Sequence, residues 1–125
     1  MKHLVRYFLL VVVAVSLSNC AKETQQKMVG KWKLYLPSPK PYEEIWTFTE
    51  TDVTRTLVYP DTSIIENSGA YEVRSASKFT ISGAGSTMKG VEYFKGDWSI
   101  KSLDSKGMII HRHVDGLIYN EFSKQ

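Results

Sequence analysis

Met108-Ile109-Ile110-His111-Arg112-His113-Val114-Asp115-Gly116-Leu117-Ile118-Tyr119-Asn120-Glu121-Phe122-Ser123 holds two runs of apolar and polar residues joined by Asp-Gly. Asp-Gly accepts the positive φ that a tight hairpin turn demands, so the stretch reads as an antiparallel pair, Met108–Val114 against Leu117–Ser123. Counted across a two-residue turn, His111 faces Asn120, His113 faces Ile118 and Ile109 faces Phe122. The two faces compete for the interior. Met108, Ile110, Arg112 and Val114 with Leu117, Tyr119 and Glu121 form one, and Phe122 belongs to the other.

Upstream, the same short, alternating segments repeat between turn residues. Lys31–Leu36 alternates Trp32, Leu34 and Leu36 with polar positions. Pro37-Ser38-Pro39-Lys40-Pro41 then interrupts, because proline donates no ladder hydrogen bond. Glu43–Thr49 alternates Trp46 and Phe48 with threonines, turns at Glu50-Thr51-Asp52, and returns as Val53–Tyr59. Pro60-Asp61 is a turn with proline preset at its second position. Ser63–Glu66 is a short strand ended by Asn67-Ser68. Gly69–Arg74 and Lys78–Ser82 follow, and Gly83-Ala84-Gly85-Ser86 is a flexible loop. Val91–Leu103, bent at Gly96, precedes the hairpin, with Asp104–Gly107 between. From Val29 onward no window of ten or more residues carries a helical stripe. Eight or nine strands in sequential hairpins predict an all-β antiparallel up-and-down meander, and closure into a barrel of about eight strands removes its edges.

The N-terminus has a different character. Lys2, His3 and Arg6 precede an unbroken apolar run, Phe8–Val15, and then Ser16-Leu17-Ser18-Asn19-Cys20. That order is an export signal, and the run falls short of the roughly 18 residues that cross a bilayer. Residues 1–19 therefore read as a cleaved signal. The sole cysteine sits at its end, where it has no disulfide partner. Leu17-Ser18-Asn19-Cys20 resembles a bacterial lipobox, with Asn19 in place of the usual Gly or Ala. The resemblance implies diacylglycerol on Cys20, a membrane anchor, and a domain organisation of signal 1–19, lipidated N-terminus and flexible tether 20–28, and barrel 29–125. Ala21 is compatible with the outer membrane, the domain facing the periplasm or the cell surface.

Removing the signal takes Lys2 and Arg6 from the 16 basic residues, leaving 14 against 13 acidic ones. The mature chain is near neutral and has no cationic stripe, which argues against nucleic acid as a partner.

Gly30-Lys31-Trp32, Trp46-x-Phe48, Gly69-x-Tyr71, Trp98-x-Ile100-x-x-Leu103 and Glu121-Phe122-Ser123-Lys124 occur in this order. Together they resemble the lipocalin-like domain of small bacterial lipoproteins, over most of residues 29–124. Where full-size lipocalins carry Thr-Asp-x-x-Tyr, this chain has Thr51-Asp52 followed by Arg55. The resemblance implies that Gly30 lets the chain cross the closed end while Trp32 plugs it. It also implies a habit of binding small hydrophobic or amphipathic molecules. The residues expected to line such a site are Trp46, Phe48, Leu57, Tyr71, Phe79, Trp98, Ile100, Arg112 and Tyr119. These aromatics form a binding site only where the barrel is not already filled. Arg112 has two readings: pairing with a ligand carboxylate, or a stack on Trp32 or Trp98.

His111 and His113 share a face and could share a metal, but their hairpin partners offer no third ligand, so a solvated pair is the plainer reading and no metal or other cofactor is expected. No Gly-x-Ser-x-Gly elbow, phosphate loop or platform of paired carboxylates is present, which argues against catalysis. Two functions stay open: a small-ligand binder, or a filled barrel that docks onto another envelope protein. An open mouth with a cavity of at least roughly 300 Å³ separates them.

Overall fold

The computed structural model describes residues 2–83, 94–113 and 116–125. A helix, α1 (Lys2–Met28), leads into strands β1 (Gly30–Leu34), β2 (Glu43–Phe48), β3 (Asp52–Val58), β4 (Ile64–Ser75), β5 (Lys78–Ser82), β6 (Gly96–Leu103), β7 (Gly107–His113) and β8 (Leu117–Lys124). Each strand pairs antiparallel with the next. β8 returns to β1, with Trp32 opposite Lys124 and Leu34 opposite Phe122, so the meander is a closed barrel. Closure supplies ladder partners to both strands that would otherwise be edges.

Side chains alternate between wall and interior as the pleat requires. Trp32, Trp46, Phe48, Val53, Tyr71, Phe79, Ile81, Trp98, Met108, Ile110 and Phe122 are buried together. A bulge in β6 passes Lys101 between the pairs Ile100↔Ile110 and Ser102↔Ile109. That extra residue lets both Ile100 and Leu103 pack against the core despite their odd separation.

Three expectations need correction. Asn67-Ser68 does not end a strand: residues 64–75 are one strand paired with β3, Asn67 opposite Arg55 and Ser68 opposite Thr54. The polar pair stays in register because Asn67 is buried against Arg55, and the Ser68 and Thr54 hydroxyls lie 3.0 Å apart outside. The final hairpin has the other register. Its pairs are Met108↔Phe122, Ile110↔Asn120, His111↔Tyr119 and His113↔Leu117, which leaves three residues between the strands. One added link residue shifts every partner by one, and Met108, Ile110, Arg112 and Phe122 then all point inward. Val114 and Asp115 themselves, like the Ala84–Ser86 part of the glycine loop and Val91–Tyr93, lie outside the described residues.

The third concerns residues 21–27, whose polar composition predicts a flexible tether. They are helical, and α1 packs against β4. The cause is tertiary. Met28 is wholly buried in the core cluster, and Thr24, one turn earlier on the same face, is buried with its hydroxyl donating to the Ala76 carbonyl at 3.5 Å. Gln25 Nε2 donates to the Glu50 carbonyl beside them. Among the described residues no helix is long and apolar enough to cross a membrane.

This end of the barrel is shut. Trp32 Nε1 donates to the Met28 carbonyl at 2.8 Å, and the Lys124 ammonium sits 4.4 Å from the Trp32 ring while donating to the Val29 carbonyl at 2.6 Å. Gly30 has φ +134°, and a Cβ there would run into the Lys124 ammonium. The glycine is thus required for its backbone conformation, while a side chain there would oblige the flexible Lys124 chain to move aside.

Candidate functional site

Of the nine residues expected to line a ligand site, eight point inward. Trp46, Phe48, Phe79 and Trp98 are at most 1% exposed, Leu57 and Tyr71 are buried, and Ile100 packs on them. Most of them fill the interior, while Phe79 and Trp98, with Arg112, also border a half-open hollow of about 450 Å³ whose other walls are polar, Lys78, Asp97 and His111 among them. Trp46 meets Phe94, Trp98 and Phe122 edge-on at 5.1–5.7 Å between centroids, and Phe48 does the same with Tyr71 and Phe79 at 5.1 and 6.0 Å. Edge-to-face packing of this kind is the geometry of a solid core. Tyr71 Oη donates to the Thr49 carbonyl at 2.5 Å, and burial pushes its pKa up to about 12.

Tyr119 is the exception. The shifted register puts it on the outer wall, 49% exposed, stacked on His111 at 5.5 Å with the Lys101 ammonium 5.2 Å from its ring. His111 and His113 share that outer side. Among the described residues, no cluster of three or more His, Cys, Asp or Glu is placed to hold a metal.

Arg112 is buried, its guanidinium 4.4 Å from the Trp98 ring and Nη1 donating to the Lys95 carbonyl. Desolvation lowers its pKa from the ordinary arginine value. The geometry is the stacked arrangement on Trp98. Gly96 makes room for it, since a Cβ there would lie 3.1 Å from Nη1.

A second polar group inside the barrel was not foreseen. Glu44 and Arg55, on neighbouring strands, form an ion pair at 3.0 Å with side chains 7% and 10% exposed. The other Glu44 oxygen accepts from Trp46 Nε1 at 2.9 Å, and with its amide oxygen turned toward Arg55, Asn67 accepts from Nη1 at 3.2 Å. The signal was available in the alternation. Glu44 shares parity with Trp46 and Phe48, and Arg55 with Val53 and Leu57.

A second hollow, with more apolar side chains on its wall, lies where β1 ends. The β1–β8 ladder stops at Leu34↔Phe122, continued only by Tyr35 N–H donating to the Glu121 carbonyl at 2.8 Å. There a half-open hollow of about 430 Å³ is lined by Leu34, Leu36, Tyr42 and Phe122 together with Glu121 and the Lys33–Glu43 ion pair. The proline-rich break carries Leu36 and Tyr42 to either side of it, which the strand pattern alone did not reveal. A wall that mixes apolar and charged side chains suits an amphipathic ligand of modest size.

No protein-family model and no curated protein sequence matches this chain. Similar solved structures include a lipocalin-like protein from Bacteroides uniformis ATCC 8492, with TM-score 0.60 and 14% identity over 79% of this chain and 99% of that one. Another is an uncharacterized protein from Bacteroides eggerthii DSM 20697, with TM-score 0.54 and 16% identity over 78% of this chain and 99% of that one. At such identities the likeness is one of fold. With eight antiparallel strands closed on themselves, the chain carries a lipocalin-like β-barrel.

Proposed function

We propose that this is a lipid-anchored protein of the bacterial envelope whose barrel binds a small hydrophobic or amphipathic molecule without transforming it. The hollow at the end of β1 carries the reading: about 430 Å³, half-open to solvent, with Leu34, Leu36, Tyr42 and Phe122 on a wall shared with the charges of Lys33, Glu43 and Glu121. The occupant sits in the rim and not in the barrel centre, because the centre is packed with aromatic rings. The lipobox-like Leu17-Ser18-Asn19-Cys20 supports acylation at Cys20 and an outer-membrane location facing the periplasm or the cell surface.

The filled interior favours a second reading, a non-catalytic module that docks onto another envelope protein. Native mass spectrometry separates the two. A Cys20→Ser form purified gently from its own host should carry a bound small molecule, and Leu36→Asp should shed it while keeping the wild-type fold by circular dichroism. Protein recovered empty, or a ligand indifferent to Leu36→Asp, would sink the rim site and leave the docking module.

A further inference from the structure

We infer that the closed end of the barrel lies against the lipid headgroups and that the hollow at the end of β1 faces away from the bilayer. This rests on the reading that Cys20 carries the lipid. The argument begins with α1. Cys20 is exposed on this helix, and Thr24, whose hydroxyl reaches the Ala76 carbonyl, comes one helical turn later, about 6 Å along the axis. Met28, about 12 Å along, is wholly buried beneath the barrel, and its carbonyl accepts from Trp32. Gln25 ties the same turn to the β2–β3 connection through the Glu50 carbonyl. The anchor point is therefore joined to the closed end by a docked helix instead of a free chain. A flexible tether of the same length would leave the barrel free to tumble.

The surface at this end is polar and mixed in charge: Lys22 and Lys27 on α1, Lys78 at the start of β5 and Lys106 in the β6–β7 connection are exposed there beside Glu23, Glu50, Asp52 and Asp104. Between α1 and that connection a hollow of about 430 Å³ is lined by Lys27, Leu103, Asp104, Ser105 and Lys124. It offers two ammonium groups, one carboxylate and one apolar side chain toward the headgroup side. The opposite end carries the proline-rich β1–β2 connection and the β3–β4 turn, with Lys40 and Lys95 exposed. Strands of five to seven residues, such as β1, β2 and β3, hold the two ends about 15–20 Å apart. Ligand then enters the rim hollow from the aqueous side and not laterally from lipid.

The test uses the mature chain from Cys20, joined through its single thiol to a maleimide-headgroup lipid in vesicles of phosphatidylcholine and phosphatidylglycerol. Amine footprinting with a membrane-impermeant reagent is read by mass spectrometry. Tethering should slow the labelling of Lys27 and Lys106 several-fold and leave Lys40 and Lys95 at their free-solution rates. A long Gly-Ser insertion between Ala21 and Lys22 should abolish the difference. Protection of Lys40 and Lys95, uniform protection, or protection that survives the insertion would overturn the orientation. Acylation is read separately, from the mass of the N-terminal peptide of protein from its own host. An unmodified Cys20 there would refute the anchor without touching the vesicle result.

Discussion

Replacing Arg55 with leucine should be among the most damaging single changes inside the barrel, and the reason is what it leaves behind. Glu44 would keep its bond from Trp46 Nε1 but lose the guanidinium 3.0 Å away, at a position where its side chain is 7% exposed. Breaking a buried pair by deleting one partner costs about 3–5 kcal/mol, because the other charge stays desolvated. Since a domain of this size has only about 5–15 kcal/mol in hand, Arg55→Leu should lower the melting temperature by roughly 12 °C or more, at about 4–8 °C per kcal/mol. Glu44→Leu should be milder, because Arg55 keeps its bond to the Asn67 amide oxygen. The double variant E44L/R55L should be more stable than either single one, since a leucine pair leaves no stranded charge. Urea unfolding followed by far-UV circular dichroism and tryptophan fluorescence measures all three. Single losses under about 1 kcal/mol that simply add in the double variant would refute the view that this pair is desolvated and coupled.

Arg112→Met should cost about 1 kcal/mol through the lost Trp98 contact, with a change in tryptophan emission; it should leave binding at the rim hollow unchanged, and a loss of ligand affinity there would return Arg112 to the site. Gly30→Ala should destabilise by roughly 1–3 kcal/mol in thermal melts, from the strained φ and the displaced Lys124 cation over Trp32, and a neutral result would mean that the closed end is soft. Tyr71 supplies a pH signature. Its folded pKa of about 12 lies above the unfolded value of about 10, so the unfolded chain loses that proton first as pH rises. Its contribution is complete below about pH 10 and is lost as pH climbs through about 12, worth on the order of 1–2 kcal/mol. Tyr71→Phe should flatten that part of the stability curve, and an unchanged slope would place the loss elsewhere.

The alternation Trp46-x-Phe48, Gly69-x-Tyr71 and Phe79-x-Ile81 determined the strands and their inward faces without help, because a pleated chain with one buried side must place its apolar residues two apart. The resemblance around Gly30-Lys31-Trp32 likewise foresaw the plugged end. Other features were settled only once the ring had closed. The inward pair of Met108 and Phe122 depended on one added link residue, and a single step in register inverts which side chains meet water. Asn67-Ser68 reads as a break until Arg55 and Thr54 stand opposite to receive it. The polar turns 21–27 continue the helix from Lys2 and are fixed to the barrel where Thr24 and Met28 meet it, contacts that composition does not reveal. Local patterning specifies which groups seek burial; which partners they find, and whether any room is left for a ligand, is set by residues distant in the chain that meet only in the folded barrel.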